Sequence, residues 1–241
     1  MNPALIESRD PSRILITRTD RMGDLLLSTP VFEALRLRFP KAHLACLTFL
    51  ENRELVEGNP FLDEVILYDK RGGEKGGFGN FRFARRLAEK RFDTVVHLHP
   101  TNRMHWVSWL AGIPVRIGYR KKNAWALTHT IEDRKGEGLK HESEYNFDLL
   151  KFLNVKPPEK LRTYFPLKER DRVSLEFLLR NLSPSPFALS PRGGEGGGEG
   201  SRSYGVLNPS ASCPSKVWPA ERFARLADRL QEKFGFPVVL T

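Results

Sequence analysis

Cysteine and long apolar runs are the features that this sequence has least of. Cys46 and Cys213 are the only cysteines among 241 residues, which excludes a disulfide framework and leaves no cysteine-based zinc spacing. No apolar run reaches the roughly 18 residues that a membrane-spanning helix needs. The opening segment MNPALIESRDPSR lacks the apolar core of a signal peptide. These absences predict a soluble, cytoplasmic protein with reduced thiols.

Acidic residues are also in deficit. The chain has 29 Asp and Glu against 39 Lys and Arg, a formal net charge of +10. Such a charge favours anionic partners, whether nucleic acid, phosphorylated substrates or an anionic membrane surface. The basic residues are scattered and no nucleic-acid-binding motif is present, so specific nucleic-acid binding is not expected. A basic nucleic-acid-binding module is kept as the alternative from a different functional class.

Short apolar segments alternate with helical patterns over the first two thirds of the chain. The segments RILIT, AHLACLTF, DEVILYD, FDTVVHLHP and VRIGY have the composition of buried strands. NRELVEGN, FRFARRLAEKR, RMHWVSWLAG and HESEYNFDLLKFLNV predict helices, and the glycines of KRGGEKGGFGN predict a loop. This alternation predicts an α/β domain with a parallel sheet and helices on both faces. Prolines 157, 158 and 166 mark its end, which gives a first domain of residues 1–166.

Residues 167–241 predict the start of a second α/β domain. The segment KERDRVSLEFLLRNL predicts a helix, and YGVLNP, PAERFARLADRLQEKFG and FPVVLT predict a strand, a helix and a strand. Ser, Pro and Gly dominate residues 183–203, which predicts a disordered insertion. One βαβ unit does not complete a Rossmann-like domain, so we expect the second domain to be truncated.

The segment RILITRTDRMGDLLLSTP, residues 13–30, contains the first candidate site. Thr17 to Asp24 form a short strand-to-helix turn, and ligands of open α/β sheets bind at the carboxyl ends of the strands. Asp24 at the helix start is either a helix cap or a general base for catalysis. Its position alone leaves both alternatives open.

Two long motifs resemble glycosyltransferase family 9, the ADP-heptose:lipopolysaccharide heptosyltransferases. They are ILITRTDRMGDLLLSTPVFEALRLRFPKAHLACLT, followed by ELVEGNPFLDEVI, and VLNPSASCPSKVWPAERFARLADRL. The resemblance implies a GT-B fold, in which two Rossmann-like domains with parallel sheets face a cleft. It also implies inverting transfer of heptose from ADP-heptose to a lipopolysaccharide inner-core hydroxyl, with ADP-heptose as donor substrate and no cofactor or metal.

The resemblance also assigns roles to the two domains. Residues 1–166 would form the acceptor side and residues 167–241 the start of the nucleotide-sugar donor domain. Because the later half of that domain is missing, residues 1–241 are not expected to catalyse transfer alone. A related transferase with another donor or acceptor remains the alternative.

Site residues follow from the matched motifs. The resemblance implies that Asp24 is the catalytic base and that Lys216 and Ser212 bind the donor diphosphate. Arginines near strand ends are candidates for gripping the anionic acceptor: Arg18, Arg21, Arg103 and Arg120. His97 and His99 lack a carboxylate or cysteine partner in sequence, so cleft histidines are favoured over a metal site. The helix FRFARRLAEKR is either a solvated face or a peripheral contact with the inner membrane.

Overall fold

The computed structural model describes residues 10–121, 123–181, 204–209, 217–235 and 237–240. The chain divides into two compact units, Met1–Pro166 and Leu167–Thr241. None of the helices in the described ranges combines the length and apolarity required to cross a membrane.

The first unit contains one six-stranded sheet. Its strands are β1 (Arg13–Thr17), β2 (His43–Phe49), β3 (Glu64–Tyr68), β4 (Thr94–His97), β5 (Val115–Arg120) and β6 (His129–Glu132). They pair in the order β3-β2-β1-β4-β5-β6, and every pair is parallel. The helices of this unit are α1 (Met22–Leu26), α2 (Thr29–Arg38), α3 (Gly76–Glu89), α4 (Asn102–Leu110) and α5 (Glu142–Leu150). The prediction of an α/β fold with parallel strands is confirmed.

Burial of β1 on both faces explains its apolar sequence. Ile14 and Ile16 point to one side of the sheet and pack in a core with side chains of α2 and α5. Leu15 points to the opposite side and packs in a second core with side chains of α3 and α4. Since neighbouring strand residues face opposite sides, a strand covered on both faces needs apolar residues at consecutive positions.

The glycine-rich segment before α3 differs from the prediction. The loop predicted over KRGGEKGGFGN is shorter, because α3 already begins at Gly76. The Asn80 side chain donates a hydrogen bond to the Gly76 carbonyl and so closes the first turn. At Gly79 an added Cβ would come within 2.7 Å of the Glu74 backbone. The glycine there permits close packing inside a helix rather than a flexible loop.

The second unit contains a small parallel sheet. It begins with α6 (Glu169–Asn181) and continues with β7 (Gly205–Leu207), α7 (Ala220–Phe234) and β8 (Val238–Leu240). Strand β7 pairs with β8 in parallel, so α7 is the crossover of a βαβ unit. Gly235 ends α7 in the left-handed conformation, with φ +69°. The predicted insertion of residues 183–203 lies outside the described residues.

Candidate active site

The strand order of the first unit reverses at β1, which lies between β2 and β4. The chain leaves β1 toward one side of the sheet and leaves β4 toward the other, so a crevice opens at this topological switch point. We call the turns that follow the last residues of the strands the carboxyl edge. Hydrogen bonds hold the backbone there: the Arg18 amide donates to the Leu47 carbonyl at 2.9 Å. The Thr48 hydroxyl donates to the Arg18 carbonyl at 2.9 Å.

Arg18 occupies the centre of the carboxyl edge as a buried cation. Only 2% of its side chain is exposed. Its Nε donates to Asp20 Oδ1 at 2.8 Å, and its Nη1 donates to Glu142 Oε1 at 2.8 Å and to the Leu98 carbonyl at 3.0 Å. The guanidinium is therefore committed to partners inside the chain. Burial leaves this guanidinium little surface for direct contact with a ligand; the acceptor-binding role of Arg18 stays a prediction.

Glu142 joins the carboxyl edge from a distant part of the chain. A capping box at His141 and Glu144 starts α5 so that Glu142 is its first helical residue. Its Oε1 accepts from both Arg18 and Lys135, the latter at 2.5 Å. Burial lowers the pKa of Lys135, and the nearby Arg18 charge lowers it further. The result is a compact group of alternating charges beneath the crevice.

Asp24 lies at the open side of this group. Its side chain is 36% exposed, and its Oδ1 lies 3.6 Å from Arg18 Nη2. Arg21 occupies the N-cap position of α1 and makes no side-chain cap hydrogen bond, and Asp24 lies in the first turn of the helix. The helix-cap alternative for Asp24 is therefore wrong. A half-exposed carboxylate next to a fixed positive charge at a switch point can meet a ligand and accept a proton.

Asp20 and His99 form a second pair at the switch point. Asp20 follows β1 and His99 follows β4, and His99 Nδ1 lies 3.0 Å from Asp20 Oδ2. Burial alone would raise the pKa of the Asp20 carboxyl. The hydrogen bond from His99 and the charge of Arg18 outweigh burial, so the pKa lies below its usual range.

The other three predicted arginines also lie at the carboxyl edge. Arg21 follows β1, Arg103 is in the first turn of α4, and Arg120 is the last residue of β5. All three are exposed. Arg103 Nη1 donates to the Tyr68 hydroxyl at 3.4 Å, and Arg120 Nε donates to the Thr130 hydroxyl at 3.4 Å. Their guanidinium groups still face solvent, as anion recognition requires; their acceptor roles stay predictions.

His97 is separate from this open group. It is fully buried, and its ring nitrogens bond the Thr17 hydroxyl at 2.8 Å and the Ser108 hydroxyl at 3.1 Å. Among the described residues, no group of three or more His, Cys, Asp or Glu side chains is arranged to hold a metal ion. His97 is thus a core residue of β4 rather than a cleft residue.

The residues expected to bind the donor diphosphate cannot be placed geometrically. Ser212 and Lys216 both lie outside the described residues, so their roles stay predictions. Of the carboxyl edge, the sequence reasoning identified Asp24 and the arginines but missed Asp20 and Glu142. Asp20 stands within the matched motif RTDRMGD and carried a signal; Glu142 carried none, because it reaches Arg18 from 124 residues away.

The comparisons with known proteins agree with this fold. A family model described as glycosyltransferase family 9 (heptosyltransferase) matches residues 80–241, which leaves the turn with Asp24 outside the match. A putative glycosyltransferase of Haemophilus influenzae is 29% identical over 140 residues, covering 58% of this chain and 40% of the relative. Lipopolysaccharide heptosyltransferase 2 of Escherichia coli is 23% identical over 235 residues, covering 95% of this chain and 62% of the relative.

Solved structures are similar along almost the whole chain. The family 9 glycosyltransferase of Veillonella parvula superposes with a TM-score of 0.80 at 25% identity, covering 98% of this chain and 64% of that protein. The ADP-heptose lipopolysaccharide heptosyltransferase II of Escherichia coli gives a TM-score of 0.69 at 22% identity, covering 95% and 63%. The chain thus spans less than two thirds of each protein that it matches here.

The family model covers well over half of the chain, and the fold agrees with solved structures of the same family. The resemblance inferred from the sequence motifs, and the GT-B fold class with it, is confirmed. The chain belongs to glycosyltransferase family 9.

Proposed function

We propose that this protein takes part in the inverting transfer of a heptose from ADP-heptose to a hydroxyl of a lipopolysaccharide inner-core acceptor. One observation carries the proposal: in a chain of this family, a half-exposed carboxylate, Asp24, stands at the switch point of the sheet beside a buried cation. The heptosyltransferase names of the relatives support the choice of sugar.

The proposed chemistry uses Asp24 as general base. The acceptor hydroxyl oxygen attacks the anomeric carbon of the donor from the side opposite the diphosphate. The new carbon–oxygen bond forms as the bond to the diphosphate breaks, and the electron pair leaves with ADP. The hydroxyl proton passes to the Asp24 carboxylate. Such proton removal typically contributes about 10²–10⁴-fold to the rate.

Arg18 has a positioning role in this proposal. Its Nη2 lies 3.6 Å from Asp24, while Asp20 and Glu142 fix the guanidinium from two other directions. Because the cation is buried and held by several groups, it presents a fixed charge toward the carboxylate. This arrangement favours one orientation of Asp24 at the crevice.

Recognition of the substrates is assigned to basic groups. Arg21, Arg103 and Arg120 would hold carboxylates or phosphates of the acceptor, since guanidinium groups bind such anions bidentately. Lys216 and Ser212 would stabilise the negative charge that develops on the departing diphosphate. The latter assignment rests on the sequence motif alone.

A peripheral contact with the anionic inner-membrane surface is also proposed, on the cytoplasmic side. The exposed face of α3 carries Phe78, Phe81, Arg82 and Arg85 at helical spacing. Aromatic and basic side chains on one helix face favour binding at an anionic lipid interface. In sedimentation with vesicles that contain anionic lipid, the wild-type protein should pellet with the vesicles. The double variant Phe78→Ser, Arg85→Glu should stay in the supernatant. Equal retention of wild type and variant would contradict the contact.

The experiment that tests the transfer is an ADP-release assay with ADP-heptose and a heptose-deficient lipopolysaccharide. It is run on the 241-residue chain and on the full product of its gene, because the chain spans less than two thirds of the relatives that it matches. We expect acceptor-dependent release and a product of inverted anomeric configuration from the full gene product.

The alternatives are outcomes of the same assay. A panel of other nucleotide-sugars replaces ADP-heptose, and release with one of those alone would favour a related transferase. No release with any donor, together with specific and steeply salt-dependent binding to DNA, would favour the nucleic-acid-binding module.

A further inference from the structure

His99 is a histidine of the carboxyl edge whose ring reaches solvent at the switch point of the sheet. It follows β4, and its side chain is 36% exposed, while its partner Asp20 is only 11% exposed. The pair therefore has a buried end and an open end. The open end lies at the switch point, where the turns after β1 and β4 flank the crevice.

The hydrogen bonds of Asp20 determine which ring nitrogen of His99 carries the proton. Asp20 Oδ1 accepts from Arg18 Nε at 2.8 Å, and Oδ2 faces His99 Nδ1 at 3.0 Å. An ionised carboxylate is only an acceptor, so Nδ1 must donate. In the neutral ring this leaves Nε2 as an acceptor. Among the described residues, no hydrogen-bond partner of Nε2 is found.

Apart from Asp24, which is proposed to take the proton of the attacking hydroxyl, the exposed side chains assigned to the acceptor lack a hydrogen-bond acceptor. Arg21 and Arg103 are donors only. A sugar hydroxyl both donates and accepts, so a site built from arginines alone would leave its proton unpaired. Asp20 and Asp24 both face Arg18, through Nε and Nη2, which places the His99 pair next to the proposed base.

We propose that His99 Nε2 accepts a hydrogen bond from a hydroxyl of the acceptor sugar, and that Asp20 is the positioning residue that holds the imidazole as the Nδ1–H tautomer. The inference rests on the proposed function and names a further contact with the same substrate. The hydroxyl that His99 binds is a neighbour of the one that attacks. Its contribution is to binding and orientation of the acceptor, whereas Asp24 takes the proton.

The other histidine–carboxylate pair of the sheet provides a matched control. His43 Nε2 lies 3.3 Å from Glu64 Oε2, and the His43 side chain is 28% exposed. This pair lies at the opposite end of the strands, because His43 and Glu64 are the first residues of β2 and β3. The same substitutions at His43 test for general effects of removing an exposed histidine.

The first test is nitrogen NMR of the histidine side chains of the 241-residue chain at about pH 8, where an ordinary histidine is neutral. We expect the Nδ1–H tautomer at His99 and its loss in Asp20→Asn. Addition of methyl α-mannoside, a plain hydroxyl-rich probe, should shift the His99 Nε2 signal and leave His43 unchanged. A dominant Nε2–H tautomer, or equal shifts at both histidines, would overturn the inference whether or not the protein transfers heptose.

The second test is steady-state kinetics of the full gene product. His99→Asn keeps a donor to Asp20 but removes Nε2, so the acceptor KM should rise about 2-fold to 10-fold with kcat little changed, the loss of one hydrogen bond. His99→Gln places an amide oxygen near the Nε2 position and should restore part of the KM. His43→Asn should change neither. A fall in kcat with unchanged KM would overturn the binding role, and absence of wild-type transfer would instead contradict the proposed function.

Discussion

The two ends of the six-stranded sheet hold their charges in different ways. At the amino edge, where the strands begin, Asp93 Oδ2 accepts hydrogen bonds from the Ser12 amide and hydroxyl at 2.7 Å each and from the Arg13 amide at 3.0 Å. At the carboxyl edge the Arg18 side chain is buried, but Asp24, which faces Arg18, and His99, which pairs with Asp20, are each 36% exposed. Two backbone amides and the Ser12 hydroxyl bind this one carboxylate oxygen at the amino edge, whereas the carboxyl edge presents polar side chains to solvent.

The two histidine–carboxylate pairs repeat this contrast. At the amino edge the Glu64 carboxylate is bound by His43 Nε2 and also by Lys90, and the other ring nitrogen of His43, Nδ1, lies 4.0 Å from Asp63 Oδ2. At the carboxyl edge Asp20 anchors His99 from below and leaves the outer nitrogen of the ring open. The same pair of residue types can therefore stabilise a sheet end or present a group to a ligand. What distinguishes the two is whether a second carboxylate faces the other ring nitrogen of the histidine, as Asp63 does at His43.

Removal of Arg18 is expected to have the largest effect on stability. Arg18→Met leaves Asp20 and Glu142 without their buried counter-ion, which should lower the free energy of unfolding by about 3–5 kcal/mol. Urea unfolding of the purified chain measures this. Arg38→Met is the matched control, because Arg38 pairs with Asp10 at an exposed site, where an ion pair contributes about 0–1 kcal/mol. Equal losses of unfolding free energy in the two variants would contradict the role of Arg18 as the buried counter-ion of Asp20 and Glu142.

Removal of Asp93 should have the next largest effect. Asp93→Ala takes away the acceptor of three hydrogen bonds at the amino edge, and we expect a loss of about 1–3 kcal/mol in unfolding free energy. Because this edge is remote from the switch point, the folded variant should keep the wild-type acceptor KM. Urea unfolding measures the loss of stability, and the transfer assay measures the acceptor KM. A change in the acceptor KM without loss of stability would contradict the claim that the amino edge contributes to stability and not to acceptor binding.

The smallest expected effect concerns His97, which is fully buried, whereas His99 is partly exposed. Burial lowers the pKa of His97 well below its ordinary value, and the charges of His105 and Arg116 lower it further. The unfolded chain therefore binds the proton more readily than the folded protein. Because protonation favours the unfolded state, the free energy of unfolding falls as the pH drops below about 6.5, the ordinary pKa of histidine.

Replacement of His97 by Asn should reduce the slope of unfolding free energy against pH by up to about 1.4 kcal/mol per pH unit in the range below 6.5. Urea unfolding at a series of pH values measures the slope. Ser108→Ala removes a hydrogen-bond partner of the ring but keeps the titrating group, so its slope should match the wild type. An unchanged slope in His97→Asn would assign the acid sensitivity to other groups.

Local pattern was sufficient to predict much of the fold. The consecutive apolar residues Ile14, Leu15 and Ile16 predicted a strand covered on both faces, and the structure buries all three completely. The turn after this strand predicted the position of Asp24 at a ligand-binding edge. These features depend on neighbouring residues in the chain, so periodicity and turn chemistry reveal them.

Features that depend on distant contacts were not predictable in the same way. Strand β6 has only four residues, and it acquires its conformation by pairing with β5. Arg18 was predicted to bind a ligand because nothing local shows that Glu142 reaches it. Gly76 and Gly79 suggested a loop, but contacts with Asn80 and Glu74 make them part of a helix. For β6 and Arg18 a tertiary contact overrides the local preference, whereas for the two glycines contacts within five residues do so.

The central claim is that the open carboxyl edge carries the chemistry, and Asp24→Asn tests it most directly. The variant keeps the shape of the side chain and removes its ability to take a proton. We expect kcat for heptose transfer by the full gene product to fall about 10²–10⁴-fold with little change in the thermal midpoint. Glu64→Gln makes the same change at the amino edge and should retain wild-type kcat. Near wild-type turnover in Asp24→Asn, or an equal loss in Glu64→Gln, would contradict the claim.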